Sequence, residues 1–339
     1  MKSQIVLGML GAGRIGRVHA KCIKSYIPNA RVKSVADAFL NDDMRNWAKA
    51  EGIGNITKNP EELIADPEID AILICSSTNT HADLIKKAVR AGKHIFCEKP
   101  VDLDLKTIIE TMEIVEKSKV KFQIGFNRRF DHNFAKIREA VVAGAIGVPQ
   151  VLKITSRDPA PPPMDYVKVS GGLFLDMMIH DFDMARFIMG CEVVSLSASG
   201  AVLIDENIGK AGDVDTAIVM LTFENGALGV IDNSRKAVYG YDQRVEVHGP
   251  KGCCRTENDT PTRVVLETVD GVGTDKPFHF FLERYFEAYG SEMKHFIESV
   301  ANDKPIICGV KDAIMPVVMG LAAKKSLIER REVKLSEIY

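Results

Sequence analysis

Ile5-Val6-Leu7-Gly8-Met9-Leu10 runs straight into Gly11-Ala12-Gly13-Arg14-Ile15-Gly16. The apolar run predicts a buried strand, and the glycines predict a tight turn into a helix. Asp37 stands 21 positions beyond Gly16, at the end of a second apolar stretch, Val32-Lys33-Ser34-Val35-Ala36. A dinucleotide site requires strand, turn, helix start and later acid in this order. The glycines allow the turn, a close backbone approach to pyrophosphate and close helix-on-strand packing. The helix N-terminus offers free N–H groups and a positive dipole end to the phosphates. A glycine-rich turn without a ligand is the plainer reading of the six residues alone, but here strand and helix flank them as the motif demands.

Charge selects the cofactor. The Asp37 carboxylate can accept hydrogen bonds from a ribose 2′-OH and would repel a 2′-phosphate. The next residues are Ala38-Phe39-Leu40, with no directly following Arg or Lys to accommodate that phosphate. NAD is therefore expected over NADP, the alternative being that Asp37 only caps a loop.

At 339 residues the chain has room for two domains, each with its own core. Lys and Arg number 44 against 46 Asp and Glu, a net charge of −2, which gives no electrostatic argument for nucleic acid or an anionic membrane. No apolar stretch approaches the roughly 20 residues of a membrane span. A core strand starting at Ile5 leaves no room for a signal peptide. The seven cysteines, at 22, 75, 97, 191, 253, 254 and 308, form no CxxC pair. They read as buried thiols of a cytoplasmic protein, not as a disulfide framework. The adjacent Cys253-Cys254 pair is taken as structural.

Up to about Gln123, short apolar runs alternate with helical patterns. Ala71–Cys75 is a strand, His81–Ala91 a helix, His94–Cys97 a strand, Leu105–Lys117 a helix and Lys121–Gly125 a strand. Continuous apolar strands alternating with helices predict a doubly wound parallel sheet covered on both faces. After Gly125 strands follow one another: Val151–Ser156, Val193–Ala201, Asp215–Phe223, Ala227–Asn233 and Arg244–His248. Glu224-Asn225-Gly226 marks a hairpin between two of them. The reading is α/β for residues 1–125, the cofactor domain. For residues 126–339 it is α+β, a large open mostly antiparallel sheet with helices. The helical stretch at about 311–329 is free to pack on either. An uncovered apolar sheet face would call for self-association.

Ligands of open α/β sheets sit outside the carboxyl ends of the strands. Glu98-Lys99-Pro100 follows one such end, and Lys99 is placed where a nicotinamide and a substrate would meet. Its ammonium would stabilise negative charge building on a substrate oxygen, unless it is a surface Lys paired with Glu98. Pro100 makes the preceding peptide a candidate for the cis form. Ser76, Thr78, Asn79, His81, Glu98 and Lys99 join Gly11, Gly13, Arg14, Ile15, Gly16 and Asp37 as candidate cofactor contacts. In the second half, Gly171-Gly172 precedes a predicted helix carrying Asp176, His180 and Asp183 on one face. A His oriented by a carboxylate suits a general base. A structural His–carboxylate pair is the plainer alternative. A metal reading of the three is the weaker alternative: the spacing is not HExxH, no other ligand cluster is apparent, and nicotinamide chemistry requires no metal. Asn127, Arg129, Asp158 and Tyr239 lie in polar stretches suited to vicinal hydroxyls, as solvated loops also are.

Together Gly11–Gly16, Asp37, Cys97-Glu98-Lys99-Pro100, Gly125–Asp131 and Gly171-Gly172…Asp176…His180-Asp181 resemble the glucose–fructose oxidoreductase/inositol dehydrogenase (Gfo/Idh/MocA) family, from the first strand to the chain's end. The runs Ser156–Pro163 and Ser234–Tyr241 look most like its inositol 2-dehydrogenase branch. The resemblance implies NAD-dependent oxidation of a ring or sugar hydroxyl to a ketone, with myo-inositol as the expected substrate. It also implies Lys99, Asp176 and His180 as the catalytic set and a homotetramer built through the open sheet. From their own chemistry, Asn127, Arg129, Asp158, Asp183 and Tyr239 are the expected substrate contacts, and no metal is expected. The alternatives are a dehydrogenase of another polyol or sugar, such as scyllo-inositol or an aldose, and a non-catalytic NAD- and sugar-binding regulator.

Overall fold

The opening apolar run forms strand β1 (Ile5–Leu10) in the computed structural model, which describes residues 4–339. Every residue of β1 is buried, as a central strand of a parallel sheet covered on both faces must be. Around it lie β2 (Ala30–Ala36), β3 (Asn55–Thr57), β4 (Ala71–Ile74), β5 (His94–Glu98) and β6 (Phe122–Gly125). Their order is β3-β2-β1-β4-β5-β6 and every pair is parallel. This is the doubly wound order, with its topological switch between β1 and β4. The helix Arg14–Tyr26 leaves β1 through the glycine turn and buries Gly16, His19, Ala20, Cys22 and Ile23, the stripe expected of a 3.6-residue period.

The described residues up to Phe130 form one compact unit together with Phe286–Met315, a segment that sequence reading left in the second half. The helix Phe286–Asn302 explains the return. Its Met293, Phe296 and Ile297 are fully buried in the same core as Leu7, Met9, Val35 and Phe96. The ring of Tyr289 stands edge-on to His19, and that of Phe286 edge-on to Tyr26.

The second unit comprises Asp131–Tyr285 and Pro316–Tyr339. Its strands are β7 (Val151–Arg157), β8 (Val193–Ala201), β9 (Thr216–Phe223), β10 (Leu228–Ser234), β11 (Asp242–Gly249) and β12 (Gly252–Arg255). An isolated hairpin, β13 (Val265–Thr268) and β14 (Gly271–Thr274), and the short β15 (Val333–Lys334) complete the set. The seven-stranded sheet runs β12-β11-β7-β10-β9-β8-β15 and is antiparallel except for the β10–β7 pair. Asn225-Gly226 closes the β9–β10 hairpin, with Gly226 at φ +83°. Along β9, Ala217, Val219, Leu221 and Phe223 are buried while Ile218 and Met220 are exposed, a period of two. With Val194 and Leu228 these exposed side chains give the sheet an open apolar face. The strands β12 to β15 went unread because they are short, or carry their apolar residues without alternation.

The cysteines depart from the sequence reading. All seven are free, and Cys22, Cys75, Cys97 and Cys308 are buried. Cys191 and Cys254 are only partly covered, and Cys253 is exposed on the edge strand β12. Burial pushes the Cys22 thiol up to about 12. No helix among the described residues is long and apolar enough to cross a membrane.

Candidate active site

Two glycines of the β1 turn are fixed by the protein itself. Gly11 has φ +108°, and a Cβ on it would lie 2.5 Å from the Cys75 carbonyl oxygen at the end of β4. A Cβ on Gly16 would lie 2.2 Å from the Gly11 carbonyl oxygen. Gly13 differs: its φ is −72°, and a Cβ there would meet nothing within 4 Å. Neither conformation nor packing asks for glycine at 13, so the open space beside it fits a group that must approach the backbone closely. Gly13 is also the N-cap of helix Arg14–Tyr26, with no side-chain cap on the first-turn N–H groups. That combination fits a pyrophosphate.

The Asp37 carboxylate accepts the Ala12 N–H on Oδ2 and the Phe39 N–H on Oδ1, each at 2.8 Å. It therefore fastens the glycine turn, as its loop-capping alternative requires. A carboxylate offers about four lone-pair sites, which leaves acceptor capacity for ribose hydroxyls. Past β4, the Ser76 and Thr80 hydroxyls lie 2.7 Å apart, and Thr78 and Asn79 form a short 3₁₀ turn.

His81 is 1% exposed. Its Nδ1 is 2.8 Å from the Pro100 carbonyl oxygen and its Nε2 2.9 Å from that of Ser76. The ring thus ties the loop after β4 to the loop after β5 and is covered from solvent. Glu98 also turns inward, its Oε1 2.5 Å from Nε2 of the buried His19. The Lys99–Pro100 peptide is cis, as its sequence suggested, and Lys99 is half-buried.

Asn127 and Arg129 sit in the 3₁₀ turn Asn127–Phe130, and both are buried. The Arg129 fork donates to the Ile307 carbonyl at 3.0 Å and to Asp312 Oδ1 at 2.8 Å. Its guanidinium anchors the segment from Ile307 to Asp312, which leads into the helix Val310–Glu329, a use that the residue type alone does not distinguish from hydroxyl binding.

In the second unit Gly171 and Gly172 have φ +88° and +80°. A Cβ on Gly172 would lie 2.7 Å from Asp213, whose carboxylate accepts the Leu173 N–H. The helix expected from here is broken. Leu173–Asp176 is a single turn, and the next helix runs Ile179–Met189. Between them the Met178 N–H reaches back to Leu173 and the His180 N–H only to Met177. Asp176 and His180 therefore lie on either side of an irregular turn, not on one regular helix face. Asp176 accepts the Tyr166 hydroxyl on Oδ1 at 2.7 Å, and Arg235 Nη2 lies 3.6 Å from Oδ2. Arg235 Nη1 lies 3.9 Å from Asp158 Oδ2. Sequence reading missed Tyr166 and Arg235, since neither is near Asp176 in spacing. Asp183 is 0% exposed, inside the helix, whereas Tyr239 is partly exposed. The Tyr239 hydroxyl donates to Asp242 at 2.6 Å and accepts from Arg157 at 3.2 Å. Burial, with Asp242 beside it, raises the Tyr239 phenol above its ordinary value.

Elsewhere in this unit Asp131, His132 and Asp259 cluster, but the Arg284 guanidinium already lies against both carboxylates.

The turn, the acid after β2 and the strand order define the first unit as a dinucleotide-binding domain of an oxidoreductase. Residues 5–126 match the model of the oxidoreductase family with an NAD-binding Rossmann fold, and residues 134–255 match the GFO/IDH/MocA C-terminal domain. The chain is 52% identical to the myo-inositol 2-dehydrogenase of Thermotoga maritima, over 98% of this chain and 99% of that one. The crystal structure of a probable dehydrogenase from T. maritima superposes with a TM-score of 0.96 at 52% identity, covering 99% of this chain and 100% of that one. A scyllo-inositol dehydrogenase from Lactobacillus casei, solved with NAD(H) and scyllo-inositol, gives a TM-score of 0.91 at 29% identity, over 98% and 99% of the two chains. The chain belongs to the GFO/IDH/MocA family of NAD-binding oxidoreductases.

Proposed function

We propose that this protein oxidises a ring hydroxyl of a cyclitol to the ketone, with myo-inositol as substrate and the carbon at position 2 as the one oxidised. The observation that carries this reading is the 52% identity to the T. maritima enzyme, sustained over nearly the whole of both chains. The cofactor assignment rests also on the open cradle at Gly13 and the acceptor at Asp37.

In the mechanism, NAD supplies a hydride acceptor when bound. Gly11–Gly16 and the uncapped helix start hold its pyrophosphate, and Asp37 its adenosine ribose. His180 takes the hydroxyl proton, and Asp176 fixes the imidazole for that task. Lys99 donates a hydrogen bond to the oxygen as negative charge builds on it. A positioned base of this kind contributes about 10²- to 10⁴-fold in rate. Asp158 and Tyr239 serve as hydroxyl contacts. Arg129, Asn127 and Asp183, all buried, act by holding the loops that carry the others. The seven free thiols fit a reducing cytoplasm, and the open apolar face fits assembly into a homotetramer.

The test is NADH formation from myo-inositol, scyllo-inositol and free aldoses by the wild-type chain and by Lys99→Ala. Myo-inositol should give the highest kcat/KM, and K99A should lose turnover while NAD affinity stays nearly intact. Preference for another polyol moves the substrate assignment. K99A turnover within about tenfold of wild type removes Lys99 from the chemistry. NAD binding with no NADH from any polyol favours a regulator.

A further inference from the structure

Arg235, immediately after β10, is the largest of the fully buried side chains, 1% exposed. A guanidinium presents five N–H donors and keeps its charge in a protein. Here Nε and Nη2 are buried and donate no hydrogen bond within the described residues. Its ionic neighbours are two carboxylates, Asp176 with Oδ2 at 3.6 Å and Asp158 with Oδ2 at 3.9 Å. Both distances exceed a normal hydrogen bond, so the contacts are ionic.

Burying a cation with donors to spare is costly, and an apolar side chain of similar volume would often serve stability as well or better. The charge therefore marks a functional demand on this position. The two carboxylates it spans come from different segments, the Pro-rich loop after β7 and the single helical turn before the break. Tyr166 holds the other oxygen of Asp176. Asp176 is thus braced on one oxygen by a neutral donor and on the other by a fixed positive charge.

We propose that Arg235 is a positioning residue for the oxidation: it sets the orientation and charge balance of Asp176 while keeping Asp158 in place at the substrate. This rests on the assignment of Asp176 and His180 made above. Arg235 itself transfers no proton. Its planar fork spans two carboxylates at once, which the point charge of Lys cannot reproduce in full.

The experiment compares wild type with Arg235→Lys, Arg235→Met and Arg235→Ala. It reads kcat and KM for myo-inositol, KM for NAD and the thermal midpoint. R235M should lose about 10²-fold in kcat, the cost of a small misplacement near the chemistry. KM for NAD should stay unchanged. R235K should recover part of the loss, and millimolar guanidinium should restore part of the activity of R235A. A merely structural arginine gives neither the selective kcat loss nor the rescue. R235M with kcat within about tenfold of wild type overturns the proposal. So does a rise in KM for myo-inositol at unchanged kcat, which would make Arg235 a plain substrate contact. If R235M and R235A fail to fold, R235K decides by the same kcat and NAD readings. A wild-type chain that forms no NADH from any cyclitol defeats the proposed function itself; wild-type turnover with undisturbed variants defeats this inference alone.

Discussion

Gly11 and Gly13 stand two positions apart and are glycine for opposite reasons. At Gly11 the backbone is left-handed and a Cβ would strike the end of β4, so Gly11→Ala should lower the thermal midpoint of the chain without any ligand present. At Gly13 an alanine fits φ −72° and meets no neighbour. Gly13→Ala should leave the midpoint nearly unchanged, the gain of about 0.4–1 kcal/mol from a stiffer unfolded chain being offset by alanine's poorer fit at this N-cap, and weaken NAD about tenfold or more in a fluorescence titration. Equal NAD affinity in G13A and wild type would end the reading of that cradle as a pyrophosphate site. At this scale the sequence was most legible where a residue type answers to a local rule, as at Gly11, Gly16 and the cis Lys99–Pro100 peptide. It was least legible for Arg235 and Tyr166. Their contacts with Asp176 come from folding that brings positions 166, 176 and 235 together, and no local spacing records that. Arg129 shows the converse, a fork suited to hydroxyls that the fold spends on Ile307 and Asp312.

Strands and helices followed from periodicity wherever the period was sustained. The helix starting at Leu173 did not stay regular, because its hydrogen bonds step from a five-residue to a three-residue reach at Met178–His180; apolar spacing carries no signal of that shift. The β5–β6 pair carries a pH dependence of its own. His94, first in β5, accepts the Lys121 N–H on Nδ1 at 2.9 Å, which requires that nitrogen unprotonated. Burial, then the Lys121 charge, lowers its pKa from the ordinary 6.5. Burial does the same to His295, on the helix Phe286–Asn302. For such groups the unfolded chain binds protons more readily, so their contribution is present above about pH 6.5 and fades as pH falls through the lowered folded values. The midpoint should therefore drop between about pH 7 and pH 5.5, and His94→Gln should flatten that slope. An H94Q slope as steep as wild type would show that other groups govern it.

The seven-stranded sheet of the second unit leaves Ile218, Met220, Val194 and Leu228 uncovered in a single chain. Burying an apolar side chain of that size contributes about 1.5–3 kcal/mol, so a face of this kind favours association of identical copies. Met220→Glu should reduce the mass measured by light scattering after gel filtration, with the monomer fold kept by circular dichroism. An unchanged mass would place the interface elsewhere. The two-part architecture was legible as a change of rhythm after Gly125. The return of Phe286–Met315 was not, because an amphipathic helix does not announce which core it joins. That return bears on how the molecule is made. During synthesis the sheet around β1 leaves the ribosome long before Met293, Phe296 and Ile297, the side chains that complete its core. The coenzyme-binding half is therefore begun first and finished almost last. A fragment ending near Phe130 should emerge with an apolar flank bare and depend on chaperones, whereas the full-length chain closes that flank itself.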